Sequence, residues 1–214
     1  MIVLGLDTCL NACSVAVLDG DRVLAHRSEA MARGHQERLA PMAQAVMAEA
    51  GLPFSSLQRI GATVGPGSFT GLRVGVAFAK GLAAALGART APVGALEALA
   101  AEADGLVAAV LDARREQVYL QVFNGGAALT APEVLPVPAA GERLKEIVCG
   151  RPLTLVGSGA PLLAHAAPGA GGLTPEGCDA RKVAALAAAR EPAPLKPLYL
   201  RAPDAKLPGG RSPE

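Results

Sequence analysis

The sequence predicts an α/β protein built from two related halves around a cleft, and three observations lead to this prediction. Each half opens on an apolar strand that ends in Leu-Asp, at Leu6-Asp7 and again at Leu111-Asp112. Alternating residues and a tight-turn pair follow each strand, Asp19-Gly20 and then Asn124-Gly125, which is typical of a β-meander. Helical spacing follows each meander. These signals indicate an internal repeat of about 105 residues, although two unrelated hairpins would produce the same signals.

The first meander and the helix after it are predicted from hydrophobic periodicity. Three strands are expected, at 2–7, 12–18 and about 22–29. The next segment has apolar residues on one helical stripe, which predicts a helix near 35–50. Pro41 either begins its regular part or kinks it, and Gly51 is a suitable residue just past its end.

The rest of the first half alternates strands and helices. A buried strand is expected at 58–64, and a long helix follows from the N-cap Ser68 to Leu86, with Gly87 after it. A short strand near 89–93 and a helix near 95–103 complete this half. We therefore place the first domain at 1–103.

The second half, placed at 104–200, is predicted to be a shorter version of the first. After the second meander we expect a helix at 139–149 and a strand at 153–156 that runs into Gly157-Ser158-Gly159. Asp179 is positioned to cap an alanine-rich helix over 180–190. The Pro-rich end is expected to finish in a tail at 201–214.

Composition excludes several function classes. The net charge is +1 and aromatic residues make up 3% of the chain, which argues against a protein that grips nucleic acid alone. The four cysteines form no CxxC pair and the three histidines form no HExxH motif, so buried free thiols are favoured over a metal site. Without a basic leader or an uninterrupted long apolar run, we expect a cytoplasmic protein that does not contact a membrane.

Candidate chemistry gathers at the expected cleft. Asp7 and Asp112 each end a strand there, and such acids could hold a metal–nucleotide complex, or each could simply accept hydrogen bonds from its own turn. The glycine-rich segment Gly65–Gly75 is neither a Walker loop nor a GxGxxG loop. In the helix that follows, small residues recur every four positions, at Gly71, Gly75, Ala79 and Ala83, and form a smooth ridge, which would let another helix approach or would pack on the chain's own sheet.

At this segment the chain resembles the TsaB family. The family signature is carried by GPGSFTGLRVG at 65–75, supported by LDTCLNACSVAVL at 6–18, HQERLAPM at 35–42, AKGLA at 79–83, DARREQVYL at 112–120 and LYLRAPDAK at 198–206. The resemblance implies the actin-like ATPase (ASKHA) fold, with two related β-meander-plus-helices halves around a cleft. It also implies a non-catalytic subunit of the complex that transfers a threonylcarbamoyl group to the adenine beside the anticodon, in tRNAs that read codons beginning with adenine.

The resemblance implies partners and a reduced site as well. The partners would be the catalytic paralogue TsaD, in a heterodimer, and the ATPase TsaE, with tRNA reached through the complex and a homodimer when the chain is alone. The paralogue's metal-binding histidine pair is not carried over, because Leu39 stands four residues after His35. We expect no cofactor of its own, while ATP or ADP could sit at the complex interface.

Two residue sets follow from this interpretation. Vestigial or interface nucleotide contacts are expected at Asp7, Thr8, Asp112, Gly157 and Gly159. The partner interface is expected at Leu39, Met42, Val46, Gly71, Val74, Gly75, Phe78 and Leu82. The alternatives are a glycoprotease-like peptidase, against which the missing metal histidine counts, and a small-molecule kinase of the same fold.

Overall fold

Two mixed β-sheets form the framework of the computed structural model, which describes residues 1–201. The first sheet contains β1 (Ile2–Asp7), β2 (Ala12–Asp19), β3 (Arg22–Ala30), β4 (Arg59–Thr63) and β5 (Arg89–Val93). The second contains β6 (Leu106–Arg114), β7 (Gln117–Asn124), β8 (Ala127–Ala128), β9 (Glu133–Pro136), β10 (Thr154–Val156) and β11 (Gly171–Leu173). Apart from Arg201, the predicted tail at 201–214 lies outside the described residues.

Six α-helices accompany the strands in the described residues: α1 (His35–Glu49), α2 (Phe69–Leu86), α3 (Ala95–Ala100), α4 (Val137–Val148), α5 (Ala160–Leu163) and α6 (Ala180–Ala188). The residues predicted to begin and end α2 are confirmed. The Ser68 hydroxyl accepts a hydrogen bond from the Gly71 amide, and Gly87 ends α2 in the left-handed conformation with φ 67°. Pro41 lies inside α1, so the helix begins before it, at His35.

The strand order confirms that the chain contains a structural duplication. The first sheet runs β3-β2-β1-β4-β5, and the second runs β8-β7-β6-β10-β11, with β9 also paired to β7. In each sheet an antiparallel meander is followed by a strand parallel to its first strand, β4 beside β1 and β10 beside β6. The repeat interpretation is therefore correct, and the predicted fold class with it.

The helices make three layers around the two sheets. On the outer face of the first sheet, α1 and α2 enclose one apolar core, and on the outer face of the second, α4 and α5 enclose another. Between the sheets, α6 packs on β1, β2 and β4, whereas α3 packs on β6 and β7. The last helix of each half therefore packs on the sheet of the other half, which ties the two halves together.

One helix of the second half is much shorter than its counterpart in the first. Helix α5 has 4 residues where the topologically equivalent α2 has 18. The short elements β8, β9, α5 and β11 were not predicted from the sequence, and α3 ends at Ala100 rather than at 103. Segments of two to four residues, including the Gly171-Gly172 pair in β11, carry too little periodicity to be recognised.

Candidate functional site

The expected cleft lies where β1 and β6 end, and its volume is about 710 Å³. One wall comes from the loop after β1 and the start of α2, and the other from the β6–β7 turn and the loop after β10. Polar residues on these walls are Asn11, Ser68, Asp112, Arg114, Ser158, Thr174 and Glu176. Of the five expected nucleotide contacts, only Asp112 is among the residues that line it.

Asp7 is fully buried beneath the cleft rather than exposed in it. One carboxylate oxygen accepts hydrogen bonds from the Cys9 amide at 3.0 Å and the Thr63 hydroxyl at 2.6 Å. The other accepts from the Cys178 amide at 2.9 Å. Burial raises the pKa of this carboxyl, and the three hydrogen bonds oppose that rise. The alternative in which Asp7 serves its own turn is the correct one, and the group also fastens residue 178 to β1.

Thr8, the second expected nucleotide contact, instead fixes α2 to the first sheet. Its hydroxyl donates to the Gly71 carbonyl at 2.7 Å, and the residue is buried. A β-carbon on Gly71 would lie 2.0 Å from the Thr8 carbonyl oxygen, and one on Gly75 would lie 2.5 Å from its hydroxyl oxygen. The small-residue ridge therefore packs on the chain's own sheet.

Gly157 and Gly159 use their amides inside the protein. The Gly157 amide donates to Leu173 at 2.8 Å, and the Gly159 amide donates to Val110 at 3.0 Å. A β-carbon on Gly157, whose φ is +115°, would meet the Val110 carbonyl oxygen at 2.3 Å. Glycine is required here for close approach to β6, so the expectation that these two residues contact a nucleotide is corrected to a packing role.

Asp112 occupies the position in the second half that Asp7 occupies in the first, but it is partly exposed. It accepts from its own turn, through the Arg114 amide at 2.8 Å, and pairs with the Arg114 guanidinium at 3.3 Å. Its own amide donates to the Ser158 hydroxyl at 3.2 Å, which links the β6–β7 turn to the loop after β10. The two acids therefore share a position in the repeat and differ in burial.

His35 and the four cysteines belong to no cluster of potential metal ligands among the described residues. His35 is buried at the start of α1 with no hydrogen-bond partner on Nε2, and Leu39 lies in the core one turn later. Within residues 1–201 no three potential metal ligands come together. Cys9, Cys13 and Cys178 are buried free thiols and Cys149 is exposed; burial, followed by the charge of Asp7, raises the pKa of Cys13 to about 12.

The expected partner interface divides into buried and accessible residues. Leu39, Met42, Val46, Gly71 and Gly75 are buried in the core of the first half, so their assignment to a surface is wrong. Apolar periodicity marks the inner face of a helix as readily as an interface, which explains the error. Val74, Phe78 and Leu82 are half-buried and flank the outer face of α2.

That outer face carries the exposed residues Ala77, Gly81, Ala84 and Ala85, which were not among the predicted interface residues, and the exposed charges of Arg73 and Lys80 border it. By length and composition α2 is the one described helix that could cross a membrane, a test that core helices of soluble proteins also pass, yet only 33% of it is buried here. Small apolar residues on the side opposite the glycine ridge were the available signal. Together with Val74, Phe78 and Leu82 they form what we call the α2 outer face.

Comparison with known proteins shows where this arrangement recurs. A family model described as TsaD, tRNA N6-adenosine threonylcarbamoyltransferase, matches residues 23–138. A Mycobacterium tuberculosis protein of unassigned function is 35% identical over 95% of this chain and 93% of its own length. The TsaB protein of Escherichia coli is 37% identical over 56% of this chain and 53% of its own length, so the match spans about half of it.

Two solved structures share the fold of this chain. YeaZ from Pseudomonas aeruginosa superposes with a TM-score of 0.77 at 30% identity, covering 86% of this chain and 89% of YeaZ. A ROK hexokinase from Thermus thermophilus superposes with a TM-score of 0.51 at 17% identity over 88% of this chain and 98% of the hexokinase, which shows the fold alone.

The duplicated sheets, the helices exchanged between halves and the cleft at the strand ends define a member of the actin-like ATPase fold class. In this chain the acid at the end of β1, Asp7, is buried and hydrogen-bonded within the protein. The chain belongs to the TsaB family.

Proposed function

We propose that this chain is a non-catalytic subunit in the biosynthesis of threonylcarbamoyladenosine in tRNA, and that it binds and activates a catalytic paralogue of the TsaD kind. Membership of the TsaB family supports the pathway. The observation that carries the non-catalytic role is the state of Asp7, whose carboxylate is fully buried and accepts three internal hydrogen bonds. A carboxylate that is buried beneath the cleft and bound in this way is not presented to a metal–nucleotide complex in the cleft.

The α2 outer face supports the choice of a protein partner. Stable interfaces between proteins bury apolar cores that are depleted in charge. The exposed residues Ala77, Gly81 and Ala85 lie on an 18-residue helix, and their small side chains let a second helix approach closely. The catalytic paralogue shares the fold, so its equivalent helix is the proposed occupant, and a second copy of this chain would occupy the face when the paralogue is absent.

The remaining components follow from that arrangement. TsaE would join the pair as the ATPase, tRNA would be modified within the complex, and any ATP or ADP would sit at the junction between subunits. The cleft of this chain, with Asp112 and Ser158 on its walls, would then serve at most as one side of such a junction.

Co-elution of the purified chain with its TsaD-type paralogue, followed by an assay for modified adenosine in tRNA, tests the proposal. The chain should restore modification that the paralogue alone does not perform. Ala77→Arg places a charge on the α2 outer face and should abolish co-elution, whereas Ala185→Arg, at an exposed alanine of α6, is the matched control and should leave it unchanged.

Two results would count against the proposal. ATP turnover by the isolated chain that persists through purification and is lost in a cleft variant would favour the kinase alternative. Peptide cleavage that a chelator abolishes would favour the peptidase.

A further inference from the structure

An exposed stack of two aromatic rings and an arginine lies at the start of α2. The rings of Phe69 and Tyr199 have their centroids 5.4 Å apart. The Arg73 guanidinium carbon lies 3.6 Å from the centre of the Phe69 ring, and its Nε donates to the Tyr199 hydroxyl at 3.2 Å. The three side chains therefore hold one another in place on the surface.

The stack is unusual for this chain, which contains four phenylalanines, two tyrosines and no tryptophan. Two of these scarce aromatic residues are placed side by side with exposures of 43% for Phe69 and 46% for Tyr199. The hydrophobic effect does not explain this placement, because large parts of both rings stay in contact with water. Exposed aromatic rings paired with arginine are instead typical of recognition surfaces.

The same surface continues to a backbone turn in an uncommon conformation. Two residues after Tyr199, the Arg201 guanidinium donates to the Ala113 carbonyl at 2.7 Å. Next in the β6–β7 turn come Arg114, Arg115 and Glu116, with φ of 63°, 53° and 58°. Three consecutive non-glycine residues in the left-handed region cost about 1–2 kcal/mol each. The turn projects Arg114 into solvent at 83% side-chain exposure.

We propose that this surface, the aromatic–arginine patch of Phe69, Arg73, Tyr199, Arg201 and Arg114, binds unpaired nucleotides of RNA. The inference rests on the proposed function, which makes tRNA the substrate of the complex. Aromatic rings and guanidinium planes stack on bases that are not paired, and arginine side chains neutralise phosphates. Because Ser68, next to Phe69, and Arg114 both line the cleft, the bound strand would run along its mouth.

The charge of the chain sets the strength of this contact. With a net charge of +1 and with Asp112 paired to Arg114, the patch alone should bind weakly and with strong salt dependence. It would orient one unpaired strand within a complex whose other members supply most of the affinity.

A single tryptophan provides the test, since the native chain has none. In Tyr199→Trp the indole replaces one ring of the stack, and in the control Leu129→Trp it stands at a site of 47% exposure in the second half. The probe is an unmodified anticodon stem-loop RNA, titrated up to about 10⁻⁴ M, the weak end of non-specific binding at physiological salt. We expect saturable quenching for Tyr199→Trp and none for Leu129→Trp.

Further substitutions in the Tyr199→Trp chain separate stacking from charge. Phe69→Leu keeps an apolar side chain but removes the ring face, and it should weaken RNA binding about tenfold. Arg114→Gln should reduce the slope of log affinity against log salt by about 0.7, the value for one phosphate contact on a single strand. Arg22→Gln, at an exposed arginine that begins β3, should change neither quantity.

Absence of saturable quenching for Tyr199→Trp would overturn the inference, and so would equal effects of Arg114→Gln and Arg22→Gln. If Phe69→Leu abolishes co-elution with the paralogue but leaves the RNA titration unchanged, the patch is a protein contact and the inference is wrong. Restored tRNA modification by the unaltered chain is measured separately, so the proposed function can stand when this inference fails.

Discussion

Two glycines on α2 should respond in opposite directions to the same substitution. Gly75 faces β1, where an added β-carbon would lie 2.5 Å from the Thr8 hydroxyl oxygen and 3.3 Å from a Leu6 methyl carbon. Gly81 lies on the α2 outer face, where an added β-carbon meets nothing within 4 Å. Because both positions are inside one helix, alanine has the same intrinsic advantage over glycine at each, about 1 kcal/mol.

The magnitudes follow from what Thr8 must do to make room. Its hydroxyl donates to the buried Gly71 carbonyl at 2.7 Å, and turning it away leaves the buried hydroxyl without an acceptor, at a cost of about 1–3 kcal/mol. Overpacking against β1 adds about 1–3 kcal/mol. After the helix advantage is subtracted, Gly75→Ala should destabilise the chain by about 1–5 kcal/mol, whereas Gly81→Ala should stabilise it by about 0.5–1 kcal/mol.

Thermal and urea unfolding followed by circular dichroism measure the difference. For a chain of this size each kcal/mol shifts Tm by about 2–4 °C. A Gly75→Ala protein as stable as Gly81→Ala would refute the packing of the ridge on β1. It would also return Gly75 to the list of interface residues.

Three other outcomes are expected. Asp7→Asn should cost about 1–3 kcal/mol because an amide cannot accept all three hydrogen bonds, while Asp112→Asn should cost less than about 1 kcal/mol, as for a surface pair; urea titration of both proteins compares them. Burial lowers the pKa of His26 below its ordinary 6.5, so the stability that its neutral ring contributes is present above pH 6.5 and is lost as pH falls through the lowered value. Unfolding free energies measured on both sides of that value should differ for the parent and not for His26→Gln. Arg59→Met should cost about 1.5–3 kcal/mol, seen as a lower urea midpoint, because Nη1 donates to the three carbonyls of residues 187, 188 and 190 at the end of α6.

Much of the fold could be predicted because its signals are local. Residues 2–7 form a strand with those bounds, Ser68 caps α2 and Asp179 caps α6, since apolar runs and capping residues act within a few positions. The duplication could also be predicted, because a tight-turn pair marks the second hairpin of both halves, between β2 and β3 and between β7 and β8.

The candidate site could be predicted only in part, because it depends on contacts between residues far apart in the chain. The Cys178 amide reaches Asp7 across 171 positions, and this contact removes the carboxylate from the cleft. Gly157 likewise resembles a ligand-binding glycine in sequence, while its backbone is pressed against Val110. Sequence spacing shows that a residue permits close approach, and only the structure shows which group approaches it.

The two halves share one sheet topology but differ in the helix that follows the parallel strand, and this difference bears on why the α2 outer face is exposed. In each half the segment after the strand parallel to the first one carries a glycine that packs closely on the first strand or on the residue just after it, Gly71 on Thr8 and Gly157 on Val110. A cleft that held a nucleotide by itself would need those amides and the acid between them to be free. Here the Gly71 amide donates to the Ser68 hydroxyl, the Gly157 amide donates to the Leu173 carbonyl, and Asp7 accepts three hydrogen bonds from within the chain. In the second half the following helix is α5, with 4 residues, whereas in the first half the 18-residue α2 leaves the small residues of its outer face exposed, bordered by the charges of Arg73 and Lys80. The proposed partner helix would cover this side, and that contact is the reason we propose for the length of α2.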